Sequence, residues 1–166
     1  MVPAYVPNPI AVVSGGGPPI DGGKTLRDGY RIFGAGKTIR GFIVGVVVGI
    51  LAGLVLIWLR SGFSLDMLPA HTVTSVTLLA FGALLGDLVK SFVKRRLGKT
   101  SGSPWPVADQ YDLVVGSLVL LAIFDWSWVT ANITPVVLAF ILIITPILHV
   151  AVNVIGYVTG VKDVPW

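Results

Sequence analysis

The sequence predicts an all-α integral membrane protein, a polytopic bundle of about five transmembrane helices with two basic cytoplasmic loops. Of the 166 residues, 54% are hydrophobic and only 12% are charged, whereas soluble domains carry about 25% charged residues. The lysines and arginines are concentrated in two short segments between long apolar stretches. The sequence contains no cysteine, which excludes disulfide bonds and thiolate metal sites.

Four apolar segments are long enough to span a bilayer, because a transmembrane helix needs about 20 residues. The predicted spans are 39–60, 71–93, 109–128 and 133–160. A shorter apolar segment, 2–14, contains three prolines. We predict that it forms the first span, and a re-entrant segment buried against the other helices is the alternative.

The distribution of basic residues predicts the orientation of the spans. The loops 14–38 and 94–108 are rich in lysine and arginine, whereas the connections on the opposite side contain one arginine, Arg60. Because cytoplasmic loops carry the excess of positive charge, both basic loops and the C-terminus are expected in the cytoplasm. We therefore predict a multi-pass protein of the cell membrane. Its expected partners include the lipid bilayer, and no nucleic acid is expected among them.

Glycines recur at every fourth position of the span that begins near residue 39. They are Gly41, Gly45, Gly49 and Gly53. This spacing aligns them in one stripe, which lets another helix approach closely. We interpret the stripe as a packing surface that faces either a neighbouring span or a second subunit. A homodimer through this glycine-rich face is therefore one of two predicted arrangements.

The second long span ends in polar residues that share one helix face. They are spaced at i, i+3, i+4 and i+7, and are Asp87, Lys90, Ser91 and Lys94. With Lys94 at the membrane interface, Asp87 lies roughly 10 Å deeper, at a rise of ~1.5 Å per residue. A carboxylate at that depth needs a polar cavity and a partner, so it indicates a functional site.

Two further aspartates, Asp109 and Asp112, begin the next span and share a helix face. Carboxylates at a helix N-terminus are also favoured by the helix dipole. A purely structural role for both aspartates is therefore the alternative to a functional site. With Asp87 on the preceding antiparallel helix, three carboxylates at one depth repel each other unless a cation binds. Oxygen ligands of this kind suit Mg²⁺, and the surrounding basic residues add capacity to bind phosphate. The pattern is typical of nucleotidyl or phosphoryl transfer.

The first basic loop is rich in glycine, which lets backbone N–H groups approach a phosphate. Lys37 and Arg40 follow it, three residues apart at the mouth of a span. A flexible linker and simple positive-inside anchors are the alternative interpretations. In the last span, His149 and Asn153 are spaced at i, i+4. They indicate either a proton relay or, as we favour, polar groups that satisfy each other between helices.

Two longer motifs connect these residues to a known family. Gly86-Asp87 is followed by Ser91, Lys94, Arg95 and Arg96, and Gly102-Ser-Pro-Trp-Pro is followed by Asp109, Gln110 and Asp112. Together they resemble the CTP-transferase family of CDP-archaeol synthases, which are archaeal relatives of phosphatidate cytidylyltransferase. The segments Pro19-Ile-Asp21, Asp28-Gly-x-Arg31 and Gly36-Lys37-Thr38-x-Arg40 are similar to that family as well.

The resemblance implies a single transmembrane catalytic domain over residues 1–166. It also implies an Mg²⁺-dependent reaction between CTP and an isoprenoid ether lipid phosphate, 2,3-di-O-geranylgeranylglycerol 1-phosphate, that forms CDP-archaeol and pyrophosphate. The expected catalytic residues are Asp87, Lys90, Lys94, Asp109 and Asp112, and the expected Mg²⁺ ligands are Asp87, Asp109 and Asp112. The residues expected to contact the nucleotide or phosphates are Gly15, Gly16, Gly17, Asp21, Lys37, Arg40, Ser91, Arg95, Arg96 and Lys99.

A small membrane transporter or carrier that uses the Asp87 and Lys90 face is the main alternative. Such a protein is expected to distribute polar residues through the membrane depth or to contain related halves. In this sequence the charges cluster at one side, and no internal repeat is apparent.

Overall fold

The structure is a computed structural model that describes residues 1–162 and 164. Within these residues every regular element is a helix, which confirms the predicted all-α class. The helices are α1 Val2–Tyr5, α2 Pro7–Val13, α3 Ile39–Gly62, α4 Val73–Arg96, α5 Ala108–Phe124, α6 Trp126–Asn132 and α7 Pro135–Val158.

Three of these helices, α3, α4 and α7, are long and apolar enough to cross a membrane. Each has 24 residues, which corresponds to about 36 Å at ~1.5 Å per residue. All three begin after a threonine whose side chain accepts a hydrogen bond from a backbone N–H of the first turn; the threonines are Thr38, Thr72 and Thr134. These caps satisfy N–H groups that have no partner within the helix, so they define where each span begins.

The span predicted at 109–128 ends earlier, because the chain bends sharply at Asp125. The helices α5 and α6 meet at an angle of 119°. The Asp125 side chain accepts a hydrogen bond from the Trp128 N–H and so caps α6. A carboxylate at this position starts a new helix instead of continuing the old one, so the predicted span 109–128 is not one continuous helix.

The N-terminal segment is shorter than a full span. The helices α1 and α2 together cover residues 2–13, about 18 Å at ~1.5 Å per residue. They are interrupted at Val6, since Pro7 and Pro9 have no N–H to donate to the preceding turn. The part of the chain that the structure describes has three spanning helices, or four if α5 and α6 count as one. The count of five full spans is therefore not confirmed.

The glycine stripe of α3 is buried within the chain. A Cβ atom on Gly45 would lie 2.8 Å from the Pro7 carbonyl oxygen and 2.9 Å from Leu84 Cδ1, and one on Gly53 would lie 2.5 Å from Val76. The stripe thus contacts the N-terminal helices on one side and α4 on the other. The alternative of a homodimer through this face is wrong, because the protein's own helices occupy it.

A second close contact joins α4 to α5. A Cβ atom on Gly82 would lie 2.7 Å from Ser117 Cα and 2.8 Å from the Gly116 carbonyl oxygen. The Ser117 hydroxyl donates to the Leu79 carbonyl over 2.8 Å across the same crossing. Because both backbones approach so closely, the polar face of α4 lies directly against the first turns of α5.

We predict that Gly45→Ala destabilises the protein by about 1–3 kcal/mol, because the added methyl overpacks the contact with Pro7 and Leu84. Thermal unfolding in detergent measures the effect. Gly62→Ala is the matched control, since a Cβ there meets nothing within 4 Å. Equal melting temperatures for the two variants would contradict this account of the stripe.

Candidate active site

The acidic residues predicted from α4 and α5 converge on one lysine. Lys90 Nζ lies 3.1 Å from Asp87 Oδ1, 3.1 Å from Asp109 Oδ1 and 2.6 Å from Asp112 Oδ2. The side chains of Lys90 and Asp112 are only 15% and 2% exposed. The ammonium of Lys90 therefore bridges three carboxylates and reduces their mutual repulsion in a poorly hydrated site.

Two further lysines complete this arrangement from either side. Lys37 Nζ, at the start of α3, lies 2.5 Å from Asp87 Oδ2. Lys94 Nζ lies 3.0 Å and 3.1 Å from the two oxygens of Asp109 and donates to the Ser103 carbonyl over 2.6 Å. We call these residues the charged cluster; its members are Lys37, Asp87, Lys90, Lys94, Asp109 and Asp112. Three positive and three negative groups make the cluster electrically neutral.

The donor set fits a divalent cation by its chemistry, but Lys90 occupies the common point. Asp87, Asp109 and Asp112 offer only carboxylate oxygens, which are the ligands that Mg²⁺ prefers. Among the described residues no group of three or more acidic or histidine side chains is arranged to hold a metal ion as it stands. The three carboxylates would hold Mg²⁺ only after the Lys90 ammonium moved away from them.

The first loop, residues 14–38, is folded around Asp21, so the alternative of a flexible linker is wrong. The Asp21 side chain is fully buried and pairs with Arg31. Its oxygens also accept hydrogen bonds from the N–H groups of Gly23, Phe33 and Gly34 at 3.0–3.1 Å. Burial raises the pKa of Asp21, but the Arg31 guanidinium and these N–H groups outweigh it and hold that pKa well below its usual value.

Asp21 was expected to contact the nucleotide, and the structure uses both of its oxygens inside the loop instead. Arg95 and Arg96, which were expected at the phosphates, also make contacts within the chain. Arg96 binds Asp28 at 2.9 Å and the Arg31 carbonyl at 2.6 Å, which ties the first loop to the end of α4. Arg95 donates to the Thr100 carbonyl over 3.0 Å.

Arg40 closes the end of α2. Its guanidinium donates to the carbonyls of Ser14, over 2.8 Å, and Gly15. Gly16 follows with a φ of +96°, and a Cβ there would lie 2.8 Å from the Arg40 guanidinium. Gly16, one of the three glycines that were expected to contact the nucleotide, therefore makes room for Arg40.

The remaining residues that were expected to contact the substrates make no ion pair with the cluster among the described residues. Ser91 is buried on α4, Lys99 is half-buried beyond the end of α4, and Gly17 is exposed. Sequence reasoning missed the backbone of the second loop, where the Trp105 N–H donates to Asp109 over 2.6 Å. The signal for it was the stiff Ser103-Pro-Trp-Pro106 turn that directly precedes Asp109.

The fold and the charged cluster identify the class of the protein. It is a multi-pass intramembrane enzyme whose charged site lies at one end of its helices. The family model described as CarS-like, CDP-archaeol synthase, matches residues 1–166. The chain belongs to the CDP-archaeol synthase family.

Similar proteins cover the whole chain. A protein of Methanoculleus marisnigri named CDP-archaeol synthase is 60% identical over 166 residues, with 100% of both chains covered. Proteins with the same name from Methanosphaerula palustris and Methanosarcina mazei are 57% and 46% identical, again with 100% of both chains covered. A solved structure, described as an intramembrane enzyme for archaeal membrane lipids biosynthesis, is similar with a TM-score of 0.67 and 36% identity. This similarity covers 98% of this chain and 90% of that one.

These findings do not support the alternative of a transporter or carrier. The relatives are named as synthases, and the ion pairs of Asp87 and Lys90 lie where the ends of α4, α5 and the first loop meet.

We predict that Asp21→Asn loosens the first loop and lowers stability by about 2 kcal/mol, because charged hydrogen bonds are lost in a buried site. Faster amide hydrogen exchange in residues 15–38 is the expected result. The exposed carboxylate of Asp66, 89% exposed, provides the control, Asp66→Asn. Unchanged exchange in both variants would show that Asp21 does not organise the loop.

The lowered pKa of Asp21 also makes the stability of the first loop depend on pH. A depressed carboxylate pKa contributes stability that is fully present above the unfolded value of about 3.9 and is lost as the pH falls below it. Wild-type protein is expected to lose loop protection on acidification below about pH 4, and Asp21→Asn to lose less over the same range. Parallel acid titrations followed by hydrogen exchange measure the difference.

Proposed function

We propose that this protein catalyses the CDP-archaeol synthase reaction. CTP and 2,3-di-O-geranylgeranylglycerol 1-phosphate are its substrates, and CDP-archaeol and pyrophosphate are its products. The full-length family match and the relatives of that name support the assignment. The observation that carries it is the partly buried, neutral cluster of three lysines and three aspartates at one end of a membrane bundle.

Catalysis of this reaction depends on positioning the two substrates and neutralising the negative charge of their phosphates more than on proton transfer. An oxygen of the lipid phosphate attacks the α-phosphorus of CTP, and the bond from that phosphorus to the bridging oxygen of the β-phosphate breaks. A phosphate monoester has a second pKa of about 6, so the nucleophile is already ionised near neutral pH. In-line positioning and stabilisation of the spreading negative charge therefore account for the catalysis required.

The lysines of the charged cluster supply this stabilisation. In the structure Lys37, Lys90 and Lys94 are neutralised by aspartates, which lowers the free energy of burying them. Binding of the triphosphate offers the same ammonium groups new anionic partners. We infer that Lys37, Lys90 and Lys94 turn toward the phosphates and leave the carboxylates free.

The freed carboxylates of Asp87, Asp109 and Asp112 would then hold Mg²⁺. When bound there, Mg²⁺ supplies charge neutralisation for the triphosphate and a fixed orientation for the leaving pyrophosphate. The buried position of Asp112 and the contact of Asp109 with the Trp105 N–H hold two of these carboxylates in place. Arg95, Arg96 and Arg40 support this site by fixing the loops around it.

The active site is proposed to face the cytoplasm, together with both basic loops and the C-terminus. The excess of lysine and arginine in the segments 14–38 and 94–108 supports this orientation. CTP is a cytoplasmic nucleotide and the lipid phosphate lies in the adjacent leaflet, so both substrates reach a site at that end of the helices.

The decisive test is pyrophosphate release by purified protein supplied with CTP, Mg²⁺ and the isoprenoid ether phosphate. We expect stoichiometric CDP-lipid and pyrophosphate, with no release when the lipid is omitted. Release without lipid would indicate a nucleotide hydrolase. No turnover with lipid, under conditions where the protein is folded, would overturn the proposed function.

We predict that Asp112→Asn lowers turnover by about 100-fold or more, because Lys90 loses its closest carboxylate and the metal site loses a charged ligand. The melting temperature in detergent shows whether the variant is folded. Asp66→Asn, at an exposed position, is the control for the same chemical change and should retain activity. Near-wild-type turnover of a folded Asp112→Asn would remove Asp112 from the site.

A further inference from the structure

The chain folds back on itself immediately after α7. Gly160, two residues after the end of the helix at Val158, has a φ of +74°, a conformation that favours glycine and ends helices. The N–H groups of Val161 and Lys162 then donate to the Gly156 carbonyl over 2.9 Å and 3.0 Å. The segment after α7 therefore runs back along the last turn of the helix.

This reversal places the Lys162 side chain on the surface of α7. A Cβ atom on Gly156 would lie 3.3 Å from both Cγ and Cδ of Lys162, so the lysine stem packs where the glycine has no side chain. The ammonium donates to Asn153 Oδ1 over 2.8 Å. Asn153 Nδ2 lies 2.7 Å from His149 Nε2, which extends the contact by one further turn.

His149 and Asn153 line a cavity of about 130 Å³ between α7 and the start of α5. Its other wall contains Trp105, Asp109 and Gln110. The volume of the cavity exceeds several-fold the roughly 10–15 Å³ that one water needs, which is enough for a phosphate-sized group. Asp109 also contacts Lys90 and Lys94, so the cavity directly adjoins the charged cluster.

The pKa of Lys162 responds to the same surroundings. Burial lowers it below its ordinary value, Asp109 counteracts this, and the positive charges of Lys37 and Lys90 lower it further. Lys162 is therefore within electrostatic reach of the charged cluster, although it lies on a different element.

We propose that Lys162, which contacts the cavity-lining residue Asn153, binds the phosphate of the lipid substrate at the edge of the cavity between α5 and α7. The inference rests on the proposed function and adds a residue that no sequence motif pointed to. Asn153 and His149 act as positioning residues, because they contact Lys162 or each other and set the direction of its ammonium.

The lipid is favoured over the nucleotide as the source of this phosphate. Val150 lines the cavity and is exposed, and Ile147 and Val154 are exposed on the same helix. Isoprenoid chains in the bilayer pack against such an apolar helix face, while a ribonucleotide does not. A phosphate held here has its hydrocarbon chains directed to the bilayer and its oxygens directed to the cluster.

The test compares the Michaelis constants of both substrates in Lys162→Gln. We expect the KM for the lipid phosphate to rise about ten-fold and the KM for CTP to stay within about two-fold, because one charged contact to one substrate is lost. Lys162→Arg should restore most of the lipid affinity. Lys24→Gln, an exposed change of the same charge in the first loop, is the matched control and should alter neither constant.

Two other results would contradict the assignment of Lys162 to the lipid phosphate. A rise in the KM for CTP instead would place Lys162 at the nucleotide. Unchanged constants with a lower melting temperature would make Lys162 a purely structural cap of α7.

A direct binding measurement distinguishes failure of this proposal from failure of the proposed function. Binding of the isoprenoid ether phosphate in micelles, measured against the same lipid without its phosphate, requires no turnover. A phosphate-dependent affinity that Lys162→Gln weakens by about ten-fold supports the subsite even if the wild-type protein fails to transfer cytidylyl groups. Equal phosphate-dependent binding by wild type and Lys162→Gln overturns it.

Discussion

The close contact between α4 and α5 is the constraint on which the rest of the site depends. Glycines at the crossing let the two backbones touch, as the short distance from a Cβ on Gly82 to Ser117 Cα shows. Only at this separation does one side chain, Lys90, reach carboxylates on both helices. Larger residues at the crossing would separate Asp87 from Asp109 and Asp112, and each charge would then need a partner of its own.

The neutral cluster also explains how charges are tolerated inside a membrane protein. Burying an isolated ionised group in a medium of low dielectric constant raises the free energy. Ion pairing and hydrogen bonding offset that cost. Lys37 joins the cluster from the first loop, and that loop is held by the Asp21–Arg31 and Arg96–Asp28 pairs. Structural charges in the loops thus position the charges that contact substrate in the proposed reaction.

The sequence predicted the parts of the fold that depend on local pattern. The three long spans and the shared face of Asp87, Lys90 and Lys94 follow from hydrophobic length and helical spacing. The bend at Asp125 was missed because apolar residues lie on both sides of it, and a side-chain cap that interrupts the helix has no hydrophobic signature. The N-terminal segment was ambiguous for a related reason, since its prolines shorten the helix without changing its hydropathy.

By itself, the sequence determined the class of the protein, its polar helix face and the residues that its family motifs share. Only the tertiary structure decided which charge meets which partner. It placed Lys90 where a cation was expected, committed Asp21 and Arg96 to the loops, and brought Lys162 back to Asn153. Such pairings join residues far apart in the chain, as Lys37 and Asp87 do, and their geometry depends on backbone approach distances that side-chain spacing along one helix does not encode.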